Sequence, residues 1–218
     1  MGAFKGAGQF FKKPLWQVAE SMGYADDNII ILKGDINQLK EKFPDTYNNL
    51  LSCVHHADRR TPLEYGQDLV ASWLIEDYFL DVLSSPDYEI SLGGADRNRK
   101  ILPNVRTSAT SDFVISKAGK RVKMELMNDY TGFWARSGRL HLRDAKYLQL
   151  QRDQALFIAI STPTGEFAIY DFRKEIPEKY ISAHKPYGYK PAYELAIPKS
   201  MLRPISKENM VKTIDELI

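Results

Sequence analysis

One cysteine, Cys53, stands alone in 218 residues. That excludes an internal disulfide and a thiolate metal cluster, and it suits a small core position in a reducing cytoplasm. No apolar run approaches the roughly 20 residues that span a bilayer. The N-terminal MGAFKGAGQFFKKPLW mixes its lysines among its apolar residues. With no separate hydrophobic block there, no secretory leader is expected. Residue 6 is Gly rather than Ser or Thr, so the acylation pattern that begins at Gly2 fails. Also absent are G-x-S-x-G, the phosphate loop G-x-x-x-x-G-K-S/T and a dinucleotide fingerprint, so neither a nucleophilic enzyme nor a nucleotide cofactor is expected. There is no internal repeat. Charge of one sign is scarce: a net charge of +2 and a pI near 8.5 fall short of a purely electrostatic nucleic-acid binder.

What is present belongs to an ordinary globular chain, with 44% hydrophobic and 27% charged residues. The length suits one domain with a small N-terminal extension. Residues 1–62 read as a helical N-terminal region packed on a core formed by residues 63–218. Within the first part, Pro14–Met22 reads as a short helix, Asn28–Leu32 as a short strand, and Asp35–Phe43 as a helix capped by Asp35 and ended by Pro44. A helix-turn-helix lacks its glycine-turn spacing. His55 and His56 are adjacent and would diverge by about 100° on a helix, so they read as surface histidines. Thr61-Pro62-Leu63-Glu64 has the chemistry of a helix start, and the helix should run to about Ser84. Leu69, Trp73, Glu76, Phe79, Leu80 and Leu83 share one face of it. Glu76 thus interrupts an apolar stripe, where a charge needs a partner.

Tyr88–Leu92 reads as a strand, followed by the donor-rich loop GGADRNRKILP. Ser111–Ser116 and Arg121–Asp129 then read as an antiparallel hairpin about Lys117-Ala118-Gly119-Lys120. Alternation puts Lys123, Glu125, Met127 and Asp129 on one face of the second strand, and the pleat brings Asp112 toward Glu125. Two adjacent carboxylates repel unless a cation or a proton lies between them. A magnesium ion, a hard cation with oxygen ligands, suits that pair. A helix from about His141 to Arg152, strands Ala155–Ser161 and Glu166–Phe172, a strand Ala192–Ile197 and a capped helix at Ser206–Ile218 complete the chain.

Ser111-Asp112 followed by Glu125-Leu126-Met127 resembles the PD-(D/E)XK nuclease superfamily, most closely its type II restriction endonucleases. The resemblance covers roughly Tyr65 to Phe172. Its implied fold is α/β (α+β): an αβββαβ core with a mixed central sheet flanked by helices. The order read from residue 64 to 172, helix, strand, hairpin, helix, strand, strand, agrees. The implied activity is Mg2+-dependent, sequence-specific cleavage of double-stranded DNA by a homodimer. Asp112, Glu125 and the Leu126 carbonyl would be the metal ligands. Glu76 would be a third carboxylate, with Glu64 and Asp68 as other donors. A non-catalytic DNA-binding protein on the same fold, or a repair or recombination nuclease, is the alternative.

The family's lysine, two residues after Glu125, is Met127 here, whose thioether carries no charge. Three explanations stand. Lys123 or Lys146 could supply a migrated cation, the enzyme could act without a lysine, or Met127 could be an inactivating replacement. DNA contacts are expected from Arg97, Arg99 and Lys100 before the hairpin, where Arg106 adds to the basic cluster. After it come Asn128, Asp129, Tyr130, Arg136, Arg139 and Arg143, with Phe133 and Trp134 able to stack or wedge.

Overall fold

The computed structural model describes residues 11–53, 60–84, 87–93, 98–103 and 111–218. Two of its N-terminal helices begin where polar side chains take up free amides. The N-terminal part holds α1 (Leu15–Ser21), α2 (Asp26–Lys33), α3 (Ile36–Lys42), α4 (Pro44–Cys53) and α5 (Pro62–Leu83). Asp35 accepts from the Gln38 amide at 2.9 Å and starts α3. At α5, Glu64 accepts from the Thr61 amide at 2.8 Å, and Thr61 Oγ1 accepts from the Glu64 amide at 3.2 Å. This is the reciprocal box expected of that sequence.

The described residues fall into two compact units, one of residues up to 79 together with 98–103, the other of residues 80–93 with 111–218. In the first unit the expected strand Asn28–Leu32 is instead part of helix α2. Five consecutive buried residues carry no periodicity that separates strand from helix. Asp26 and Asp27 in the first turn and Gly34 in the left-handed conformation after the last turn decide for the helix. Gly66 on α5 permits close packing in this unit, since a Cβ there would lie 2.9 Å from Leu50 Cδ1. The stripe expected along α5 is broader than one face: Val70, Ala71, Trp73, Leu74 and Ile75 are all buried.

The second unit is built on a mixed six-stranded sheet with the strand order β1-β2-β3-β5-β6-β9. Its strands are β1 (Glu89–Leu92), β2 (Phe113–Lys117), β3 (Lys120–Asp129), β5 (Leu156–Ser161), β6 (Glu166–Asp171) and β9 (Arg203–Pro204). A two-residue turn joins β2 to β3, with Ala118 and Gly119 both at positive φ (49° and 79°). That is the twist-matched hairpin connection the sequence suggested. β3 and β5 pair in parallel, joined through α6 (Phe133–Ser137), β4 (Arg139–Arg143) and α7 (Asp144–Asp153).

The helix expected from His141 therefore begins at Asp144. Arg139-Leu140-His141-Leu142-Arg143 alternates, with Leu140 and Leu142 buried and both arginines exposed, and pairs as a strand. β4 joins β8 (Lys190–Ala196) and β7 (Glu178–His184) in a second, antiparallel sheet of order β4-β8-β7. The strand β7 was not expected, because most of its residues are exposed and polar. Leu140, Leu142 and Leu195 of this sheet, Tyr147 and Leu150 of α7, and Phe157, Ala159 and Tyr170 of the main sheet form one apolar cluster. The chain closes with α8 (Lys207–Asp215), capped by Ser206, which accepts from the Asn209 amide. Among the described residues no helix is long and apolar enough to cross a membrane.

Candidate metal and nuclease site

The hairpin register places the two carboxylates. Phe113 pairs with Met124, so Asp112, one residue further out, stands opposite Glu125. Asp112 Oδ2 accepts from the Leu126 amide at 2.8 Å, which ties its carboxylate to the backbone beside Glu125. Gly93 makes this approach possible. Its amide donates to the Asp112 carbonyl at 2.7 Å, and a Cβ at position 93 would lie 2.1 Å from the Ser111 carbonyl oxygen. Any larger residue would have to displace the segment that carries Asp112.

Glu125 is buried, at 5% exposure, and its two oxygens differ. Oε1 accepts from the Lys146 ammonium; Oε2 is buried and accepts no hydrogen bond. Burial, then the charge of Asp112, push the Glu125 carboxyl up to about 7, against the pull of Lys146. The Lys146 ammonium thus engages one oxygen of Glu125 beside a second carboxylate, and a bare acceptor is left in a low-dielectric place. That is the deficit a divalent cation with oxygen ligands removes, so Asp112, Glu125 and the Leu126 carbonyl fit magnesium by their chemistry. No third His, Cys, Asp or Glu side chain converges with them among the described residues to complete a metal cluster.

The migrated-cation explanation has two candidates, and the structure separates them. Lys146, in the first turn of α7, reaches Glu125. Lys123 shares the strand face but pairs with Asp153 at 3.0 Å. Met127 packs against the apolar cluster formed with the second sheet. An ammonium at that position would have to be buried among these side chains or turned aside.

Other expected residues are committed elsewhere. Glu76 receives Nη1 of Arg99 at 2.7 Å, and Asp77 receives Arg99 Nε at 3.1 and 3.2 Å. Arg99, expected to contact DNA, thus directs its guanidinium at two carboxylates with only 14% of its side chain exposed. Glu64 serves the α5 box, and Asp68 pairs with Arg60 at 3.1 Å. Asp129, expected to read bases, is buried. Its carboxylate instead accepts from the Thr131 amide and hydroxyl and from the Trp134 amide at 2.7–2.9 Å, capping the start of α6. The Asp-x-Thr spacing carried that signal in the sequence. Trp134 is correspondingly buried in the apolar cluster.

Asn128 is half-buried with its Oδ1 unpartnered, and Tyr130 is half-buried. Arg136 is exposed and donates to the Thr131 carbonyl at 2.7 Å. Arg139 and Arg143 are exposed at the two ends of β4, with Arg143 over the Tyr187 ring at 5.3 Å. Lys100 is exposed. Arg97, Arg106, His55 and His56 lie outside the described residues. A second polar group, unforeseen in the sequence, lies on the β4-β8-β7 sheet. His141 Nε2 meets Glu194 at 2.9 Å, and the His184 ring lies 4.2 Å from that of His141.

No family model matches the chain, and no curated protein matches it in sequence.

Proposed function

We propose that the chain is a magnesium-dependent endonuclease that cleaves double-stranded DNA at specific sites, in the manner of the type II restriction enzymes of the PD-(D/E)XK superfamily. The observation that carries this reading is the buried, half-satisfied Glu125 carboxylate. It stands opposite Asp112 with Lys146 on one oxygen and nothing on the other. The strand order agrees with it, since a hairpin bearing both carboxylates is followed by a crossover into a parallel strand.

Bound magnesium, held by Asp112, Glu125 and the Leu126 carbonyl, would acidify water and neutralise the charge that builds on phosphate. The chain's own groups do the rest. Asp112 is oriented by the Leu126 amide, so its geometry is set before substrate arrives. Lys146 keeps negative charge on Glu125 and holds further N–H donors for an attacking water or a phosphate oxygen. In this reading Lys146 takes the role of the family's lysine. Met127 packs against the apolar cluster on this face and takes no part in the chemistry. Arg136, Arg139 and Arg143, exposed and following β3 in the chain, would contact the DNA backbone. Two copies acting on a palindrome would cut both strands.

Cleavage of mixed-sequence plasmid DNA with Mg2+ tests the proposal. The unaltered chain should give discrete fragments. Glu125→Ala and Lys146→Ala should each lose at least about 100-fold in rate, and Met127→Lys should gain nothing. If Met127→Lys cuts while the unaltered chain does not, Met127 is an inactivating replacement and the role given to Lys146 falls. If folded protein of neither form cuts, the endonuclease reading falls.

A further inference from the structure

Along β3 the face that carries Glu125 continues in both directions. Toward the hairpin turn its next two side chains are Lys123 and Arg121, spaced by about 6.8 Å per pair of residues. Both are exposed. They open into a cleft of about 450 Å³, which is also lined by Val114, Asp153, Gln154 and Arg173.

The cleft holds three cations against one carboxylate. Their commitments differ. Arg173 is tied to Asp171 at 2.7 Å and to the Leu217 carbonyl at 2.5 Å, so it forms a fixed wall. Lys123 is held by Asp153 in a half-exposed pair, a kind of contact that a stronger anion displaces easily. Arg121 makes no ion pair among the described residues, and its fork is open to solvent. A planar guanidinium and an ammonium side by side match phosphate oxygens. The last turn of α7 ends at Asp153 and Gln154 and brings partial negative charge to the same place. A free small anion is therefore not concentrated here. A polyanion held at a neighbouring point is.

We infer that this cleft is a backbone subsite. It takes the sugar-phosphate chain of the DNA strand that flanks the scissile phosphate, so that the strand runs along β3 from Glu125 toward Arg121. The inference rests on the endonuclease reading for its occupant. It adds the direction in which the substrate lies and two residues, Arg121 and Lys123, that position it without touching the reacting atoms.

The test measures binding of the full chain to a duplex oligonucleotide across a salt series without divalent metal, and cleavage with Mg2+. Arg121→Gln and Lys123→Gln should each lower the slope of log K against log salt by about 0.9, the value for one lost phosphate contact. The cleavage rate at saturating DNA should stay within about two-fold, since neither residue belongs to the chemistry. The control is Lys207→Gln/Lys212→Gln, two exposed cations on α8, which should leave the slope unchanged. If the unaltered chain binds and the cleft variants keep its slope, or the α8 variant lowers it equally, the subsite is overturned while the endonuclease reading stands. If the cleft variants lower the slope but the unaltered chain never cuts, the cleft stands as a DNA-backbone contact, and its place beside a scissile phosphate falls with the endonuclease reading. No binding to duplex at any salt overturns both.

Discussion

Each unit of this protein contains a pair of neighbouring carboxylates with a cation beside it, and the two pairs differ in how that cation engages them. In the first, Glu76 and Asp77 meet Arg99, and the Tyr24 hydroxyl adds a donor to Asp77. Burial works against charge on the guanidinium. The Asp77 hydrogen bonds and the charge of Glu76 outweigh it, and Arg99 is held well above its ordinary pKa. Burial and the Asp77 bond likewise push the Tyr24 hydroxyl up, which keeps it a donor. In the second cluster, the point charge of Lys146 meets Glu125 beside Asp112, and one Glu125 oxygen stays bare. The guanidinium fork covers two acids because its donors are fixed in a plane. A single ammonium engages one oxygen here and leaves the other Glu125 oxygen without a donor.

The sharpest way to break this comparison is to remove each cation. Arg99→Gln should cost about 3–5 kcal/mol in urea unfolding, because it removes the countercharge of two poorly exposed carboxylates. Lys146→Gln should change stability by less than about 1 kcal/mol, because Glu125 can take up a proton instead. Equal losses would mean that both clusters are structural.

Metal should act on one cluster alone. At a hundred-fold excess over its dissociation constant, Mg2+ should raise stability by about 2.7 kcal/mol, visible as a thermal shift. Asp112→Asn and Glu125→Gln should abolish that shift. Glu76→Gln should keep it, because Arg99 engages that carboxylate. Loss of the shift in Glu76→Gln would restore Glu76 as a third ligand.

The smallest effect is on pH dependence. Glu125 is raised from the ordinary carboxylate range to about 7, so the folded chain binds its proton more tightly than the unfolded chain does. Its contribution is fully present below the ordinary value and is lost as pH climbs through about 7. Metal-free protein should therefore lose stability across that window, and Glu125→Gln should flatten the loss by on the order of 1–2 kcal/mol. An unchanged pH profile would mean that Glu125 is not desolvated as described.

Local chemistry was legible wherever a residue and its partner are close in the chain. Asp35, Thr61 with Glu64, and Ser206 announced their helices. The Ala118-Gly119 turn and the alternation after it placed Asp112 opposite Glu125. Legibility failed where the local signal was shared between structures. Asn28–Leu32 is equally apolar as strand or helix. Arg139–Arg143 was absorbed into the helix that follows it, although it alternates. Asp129 and Arg99 look like free recognition groups in the sequence and are spent on the Trp134 amide and on Glu76 and Asp77.

The sequence by itself determined the acidic pair, the hairpin that bears it and a mixed α/β chain with one isolated thiol. These depend on backbone periodicity and on contacts within a few residues. Only the tertiary structure decided that Lys146 rather than Lys123 faces Glu125, that Met127 belongs to an apolar cluster, and that one Glu125 oxygen is bare. Those depend on how a helix and a second sheet, distant in sequence, settle on one face of β3. Burial there sets how strongly each charge is felt.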